Sequence, residues 1–442
     1  VKHGHSHVES GTTESQLTSH QHVFDAPPQV RRAAFASFAL IVLVGIVAMF
    51  LTWPASDKNR IELGYVFENA TVLQVQDEQE CVGVEVSAAT PCQTALIELT
   101  SGQVKGERAI IELRSTDALL PRLEAGDKIV VSAAYGAPMQ FRYQFAEFQR
   151  GSSLLLLAIV FVLVVLAIGR IQGLRAIAGT ALSLLVLVFY MIPAIAQGTN
   201  AVIVSTVGVI VIGAIVLLIA HGPTLGTVAA FAGTIISLGV TIGLGWAWVE
   251  LAQITGLADD SINTLRFTNS QLSAQGLLLA GIVIGALGAL DDITVTQVAT
   301  IGELRRANAA LTARELYQRA SRVGRDHISS IVNTLVLAYA GASLGTLVIL
   351  TELAQPMSQV LAKEVIAVEI IRTLVGSIGL IVAVPITTGI AVLLANPPRE
   401  LAGNLSAHVD ETGVADETGV ADAMDAADAT GTEDDSGESS LS

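Results

Sequence analysis

Charge is what this sequence has least of. Only 14% of its 442 residues are Asp, Glu, Lys or Arg, 52% are hydrophobic, and the mean hydropathy is +0.61. An ordinary soluble domain carries roughly 25% charge, so that class is excluded. Lys and Arg are missing altogether from Glu400 to Ser442, and without this acidic tail the net charge of -16 shrinks to near neutral. Two catalytic signatures are absent too: there is no Gly-rich phosphate loop ending in Lys-Ser/Thr and no His-Glu-x-x-His. ATP-driven pumping by this chain alone is therefore not expected, nor is an enzyme, a cofactor or a nucleic-acid partner. Cysteine is limited to Cys81 and Cys92, with no His near either, which places neither as a nucleophile.

Long apolar runs are what the chain has in place of charge. A hydrocarbon core of about 30 Å takes about 20 helical residues to cross, and such windows fall at 33–53, 153–170, 174–194, 200–220, 225–250, 275–298, 329–351 and 371–395. The expected fold is an α-helical integral membrane protein with about eight transmembrane helices. Arg31 and Arg32, Arg170 and Arg175, and the cluster Arg305, Arg306, Arg314, Arg319, Arg322 and Arg325 all fall on one side if the spans alternate. The positive-inside rule makes that side the cytoplasm, with both termini there, the protein in a bacterial plasma membrane and the lipid bilayer its first partner.

The domains follow. A polar head, 1–32, precedes the first span at 33–53; segment 54–152 is extracytoplasmic; a seven-helix membrane domain, 153–395, contains the basic connector 299–328; the tail, 396–442, is acidic. The tail repeats Asp-Glu-Thr-Gly-Val-Ala twice, and both polar ends hold too little apolar surface to fold. His3, His5 and His7 lack Cys or carboxylate partners at ligand spacing, so no metal site is built on the head. Within the connector, Glu303 to Gln318 mixes charged and apolar residues at helical spacing and predicts an amphipathic helix.

Between Arg60 and the second span the runs become short and β-branched, as in Tyr65-Val66-Phe67, Leu96-Ile97-Glu98-Leu99 and Lys128-Ile129-Val130-Val131, and are separated by turn pairs such as Ser101-Gly102 and Lys105-Gly106. This predicts a small extracytoplasmic β-barrel or β-sandwich. Cys81 and Cys92 lie in it on the oxidising side; a bridge between them would contribute about 3 kcal/mol, and the alternative is two free thiols.

Polar residues inside the last three spans mark where chemistry can sit. Gly281, Gly285 and Gly288 form one smooth helix stripe suited to helix packing. Asp291 and Asp292 follow, with Thr294 and Thr296 one turn beyond each. A carboxylate at membrane depth costs about 2.5–3.5 kcal/mol, which points to a polar cavity for a cation or proton; the other reading puts the pair at the cytoplasmic interface. Arg325 and Asp326 lead into the next span, which holds Asn333 and Tyr339, and Glu369 with Arg372 makes an i, i+3 pair at the start of the last, which Pro385 interrupts.

Two stretches, Gly285-Ala-Leu-Gly-Ala-Leu-Asp-Asp-Ile-Thr-Val-Thr-Gln297 and Gly324-Arg-Asp-His-Ile-Ser-Ser-Ile-Val-Asn-Thr-Leu-Val-Leu-Ala-Tyr-Ala-Gly341, resemble the YibE/F-like family of bacterial multi-pass membrane proteins. Glu369 to Leu380 and Val384 to Thr387 fit the same pattern, and the likeness is expected to cover roughly residues 60–395. The resemblance implies that Asp292, Arg325, Asp326, Asn333 and Tyr339 are functional or structural anchors, with Asp291 a departure from a single acid. The leading expectation is a secondary transporter or permease for a small solute or ion, its polar pathway in the last three spans. The rival is a receptor or assembly scaffold that binds an envelope protein through the β domain.

Overall fold

The computed structural model describes residues 23–24, 26–55, 65–78, 92–114, 122–138, 141–258, 262–265, 271–352 and 356–395. The acidic tail, most of the head and Cys81 lie outside them, and the Cys81–Cys92 pairing therefore does too. Contacts divide the chain into two units, one made of Gly45–Ala220 with Thr255–Ala280 and the other of Val1–Val44, His221–Ile254 and Gly281–Ser442.

In the first unit, β1 (Val66–Glu78), β2 (Cys92–Leu99), β3 (Arg108–Arg114), β4 (Lys128–Ala133) and β5 (Tyr143–Phe148) form one antiparallel sheet in the order β3-β2-β1-β4-β5. The long β1 pairs with β4 through its first half and with β2 from Ala70 onward, shifting register between Val72 and Gln74. That lets the sheet curl until β3 comes against β5, the strand order of a five-stranded OB-type barrel. Among the described residues there is one sheet and not two, the arrangement of a barrel and not of a sandwich. Alternate residues point inward, and Val72, Ile97, Leu99, Ile111, Ile129 and Val131 fill the interior.

One carboxylate is buried at the barrel wall. Glu68 is 3% exposed, accepts a hydrogen bond from the Tyr135 hydroxyl, and holds that phenol's pKa well above its ordinary value. Gly102 lies against it with φ +87°, and a Cβ there would overlap the carboxylate. Gly106 has nearly the same φ, +90°, but open space. Gly106→Ala should therefore cost only the left-handed strain of about 1–2 kcal/mol, and Gly102→Ala about 1–3 kcal/mol more. Chemical unfolding of the two variants side by side measures the difference; equal losses would mean that Glu68 yields freely.

Among the described residues, six helices are long and apolar enough to cross a membrane: α1 (Pro28–Leu51), α2 (Gly151–Ala196), α3 (Ala201–His221), α4 (Leu225–Leu251), α5 (Ala274–Ala307) and α9 (Glu364–Leu394). The expected division of 153–194 into two helices joined by a loop is replaced by α2, whose backbone breaks at Arg170 (φ 47°, ψ -125°) while helical bonding resumes at once. A Cβ at Gly173 would overlap the carbonyl oxygen of Val165. In a straight helix positions eight apart are about 12 Å distant, so the chain bends sharply here. Near its far end α2 loosens into a π-turn, Leu187–Met191, just before Pro193, where proline withholds a donor. Tyr190 in that turn is fully buried, shares a 2.7 Å hydrogen bond with Thr52, and stacks on Trp53 at 5.7 Å. Gln197 closes the same end with two hydrogen bonds to the Ala55 backbone.

The second unit is built on α4, α5, α6 (Ala313–Ala342) and α9, with the short α7 (Leu344–Glu352) and α8 (Met357–Leu361) between α6 and α9. The span expected at 329–351 is not one helix, since α6 stops at a C-cap on Ser343. Nor does Glu303 to Gln318 form one amphipathic helix. α5 runs to Ala307, and α6 starts afresh under a capping box in which Thr312 and Glu315 bond each other's backbone N–H. Those bonds hold Glu315 below the usual carboxylate range. Arg305, one of the arginines that mark the cytoplasmic side, is 4% exposed and donates to the carbonyls of Leu311 and Ala395, both at 2.7 Å.

Candidate functional site

Close contacts fix the registers in the second unit. α4 runs antiparallel to α5, because Thr234 Oγ1 lies 3.0 Å from Thr294 Oγ1 and a Cβ at Gly226 would meet Val298 at 3.0 Å. α4 also runs antiparallel to α9: Gly233 receives the Thr387 hydroxyl and Gly379 receives that of Thr241, each so closely that a Cβ would overlap it. α6 is antiparallel to α5, with Tyr339 Oη against Gly285 and Gly324 against Gln297.

One end of this bundle gathers several expected residues. Glu369 and Arg372 form an ion pair at 2.8 Å with about a quarter of each side chain exposed, and the Arg372 guanidinium lies 5.9 Å from the centre of the Tyr339 ring. That is a cation–π contact, strengthened by low dielectric. A cavity of about 270 Å³ opens beside them, lined mostly by apolar residues with Tyr339, Ser343, Glu369 and Thr373 as its polar groups. A few convergent polar groups in an apolar wall are the usual make-up of a small-molecule pocket.

The glycine stripe serves this end differently from the packing expected of it. Gly285 touches only the Tyr339 hydroxyl, at 3.0 Å from its would-be Cβ, Gly281 only the Arg372 tip at 3.9 Å, and Gly288 nothing within 4 Å among the described residues. It makes room for two long polar side chains; no helix backbone rests on it.

From that end a line of hydroxyls runs through the bundle. Thr373, Ser377 and Thr388 on α9 and Thr241 on α4 are buried; Thr373, Ser377 and Thr241 each donate a proton to the carbonyl one turn back, at 2.7–2.9 Å, and the Thr388 hydroxyl is shared between the Val384 carbonyl at 2.6 Å and Gln297 Oε1. Their oxygen lone pairs therefore face the helix contacts as acceptors. Thr234 and Thr294 continue the line, followed by Gln297, whose Oε1 is 2.9 Å from Thr388 Oγ1. From Arg372 to Thr388 is sixteen residues, about 24 Å of helix rise against a hydrocarbon core of about 30 Å.

Of the acid pair, Asp291 is the one turned toward the interior. Asp292 is exposed, on the face of the glycine stripe, while Asp291 is half-buried and its Oδ1 is fully buried without a hydrogen bond among the described residues. Neighbouring helical residues point about 100° apart, so only one of the pair can turn inward. Thr296 is half-buried and its carbonyl accepts from Thr300; Arg325, Asp326 and Asn333 are exposed on α6, away from the seam. Pro385 sits on the exposed side of α9, which continues through it.

The residues missed from sequence are those of α4: Thr234, Ser237 and Thr241. They recur at i, i+3 and i+7, a hydroxyl stripe on one face of an apolar span.

Six long apolar helices, one of them bent sharply at its middle, and a polar seam inside a helical bundle make this a multi-pass membrane protein. A model of the YibE/F-like protein family matches residues 157–397, more than half the chain, and the chain belongs to that family. The match begins within α2, after the barrel, so the likeness is shorter than the 60–395 expected. Among curated proteins and solved structures nothing matches.

Proposed function

We propose that the protein is a secondary transporter or permease for a small solute or ion, and that its path follows the seam between α4, α5, α6 and α9. The observation that carries this is the seam's length: buried hydroxyls, one inward carboxylate and an ion pair extend over most of a hydrocarbon core, where ionisable groups are costly and mark solute or ion pathways. The reading takes the span count as about eight. Its support is that Thr52, at the exit of α1, and Gln197, at the exit of α2, lie at one level while the barrel joins α1 to the start of α2; α2 would then cross twice, turning at Arg170. The eighth crossing would be α6 with α7. The arginine pattern supports cytoplasmic termini and an extracytoplasmic barrel in a bacterial plasma membrane. No catalytic step is part of the reading.

Cysteine accessibility tests it. In intact membranes, Ser343→Cys and Thr294→Cys should react with a membrane-impermeant thiol reagent faster than Leu337→Cys, a substitution at an exposed apolar position, after subtraction of the wild-type background. Seam cysteines that react no faster than position 337 would mean that the polar groups hold helices together and line nothing.

The second reading, a receptor or scaffold, has one observation in its favour. An open groove of about 410 Å³ on the barrel is lined by Tyr65, Phe67, Ser132, Phe141, Gln144 and Phe145, a mixture of rings and polar tips suited to an envelope protein partner.

A further inference from the structure

We propose that Phe24 plugs the cytoplasmic mouth of the seam, seated between the ends of α4 and α5 and withdrawn when the path opens; this inference rests on the transport reading. α4 and α5 face each other along two rows of positions four apart, Gly226, Ala230 and Thr234 on one helix and Gly302, Val298 and Thr294 on the other. The Thr234–Thr294 contact at 3.0 Å and the approach of Val298 to Gly226 fix how the rows oppose each other. Phe24 ends the line. Its Cε2 lies 3.4 Å from a Cβ placed on Gly226 and 3.7 Å from one placed on Gly302, so the ring stands between the two glycines. On α5 that level is one turn beyond Val298 and two beyond Thr294.

The ring is held there by its neighbours. Phe24 is the first Phe, Tyr or Trp of the chain, at the end of a polar head, and Val23 and Ala26 beside it are 8% and 4% exposed. α1 follows directly and is itself fastened to α4, where Phe38 packs edge-on against the buried Phe231 with ring centres 4.9 Å apart. Arg305 and Arg306 lie at the same end of α5, the end that the arginine pattern makes cytoplasmic, and Phe24 precedes a first span that starts on that side. The two halves of the mouth are closed by different physics. Between α5 and α9, Arg305 donates a charge-assisted hydrogen bond to the Ala395 carbonyl at 2.7 Å. Between α4 and α5 the closure is an apolar ring against two glycines, a non-directional contact with no side chain to interlock, so this is the half that releases.

The test is labelling of Thr294→Cys in the full chain by a membrane-impermeant thiol reagent in inside-out vesicles, where the reagent meets only the cytoplasmic face, after subtraction of the wild-type background. A closed state leaves its open alternative about 0.1–10% populated, so adding Phe24→Ala should raise the labelling rate about tenfold or more. Phe24→Leu, which fills part of the slot, should raise it less. In right-side-out vesicles Ser343→Cys, at the other end of the seam, should label no faster when Phe24 is replaced. Equal Thr294→Cys rates with and without Phe24→Ala overturn the proposal, as does a matching rise at Ser343→Cys, which would be general loosening of the bundle. Should Phe24→Ala fail to fold, Phe24→Leu decides alone, and an unchanged rate in it overturns the proposal. Ser343→Cys that reacts from outside while Thr294→Cys ignores Phe24 would end the plug and keep the transport reading; seam cysteines unreactive from both faces in every variant would end both.

Discussion

Gly379→Ala is expected to destabilise the protein by about 1–3 kcal/mol, and Gly233→Ala by at least as much. Both glycines stand where α4 and α9 approach most closely, and both receive a threonine hydroxyl from the opposite helix. Repair should differ between them. Once the hydroxyl is gone, the Thr241 Cβ lies 3.3 Å from a Cβ at position 379, a distance a small shift relieves. The Thr387 Cβ stays 2.9 Å from a Cβ at 233, closer than side chains tolerate. Thr241→Ala should therefore restore most of the stability lost in Gly379→Ala, while Thr387→Ala should restore only part of that lost in Gly233→Ala. Denaturant or thermal unfolding of the four single and two double variants measures both couplings. Independent, additive losses would mean that α4 and α9 are not held together through these pairs.

These contacts mark the limit of what the sequence discloses. Span positions are legible because a bilayer demands long apolar runs, and the β domain is legible because its runs shorten and alternate. Tyr339, Glu369, Arg372, Gly281 and Gly285 are legible one by one as polar or small residues inside those runs, but nothing local says that they meet. Which of Asp291 and Asp292 turns inward is hidden for a different reason. α5 is apolar on nearly all sides, so no hydrophobic face orients it, and a shift of one residue rotates the answer by about 100°. Thr234, Ser237 and Thr241 escape notice because small hydroxyls bond their own helix and sit in an apolar span at little cost. The break at Arg170 is flanked by Gly169 and Gly173, but the positive φ falls on the arginine itself and the apolar run hides the bend, and Ser343 ends α6 within a run whose hydropathy continues into α7.

Asp291→Asn should have the largest functional effect. An interaction with a charged group is worth about 1.5–3 kcal/mol, so replacing the carboxylate with an amide of the same shape should slow flux by about one to two orders of magnitude. Folding should be close to unchanged, since the substitution removes a buried charge and leaves no partner behind. Asp292→Asn, on the exposed face, should stay near wild type. The most direct measurement is exchange of a radioactive monovalent cation, with sodium as the probe, across proteoliposomes containing the wild type or either variant. The account predicts exchange well above that of protein-free liposomes for the wild type and Asp292→Asn, and its loss in Asp291→Asn. Exchange in Asp291→Asn equal to that of the wild type, or none in any of the three, would contradict it.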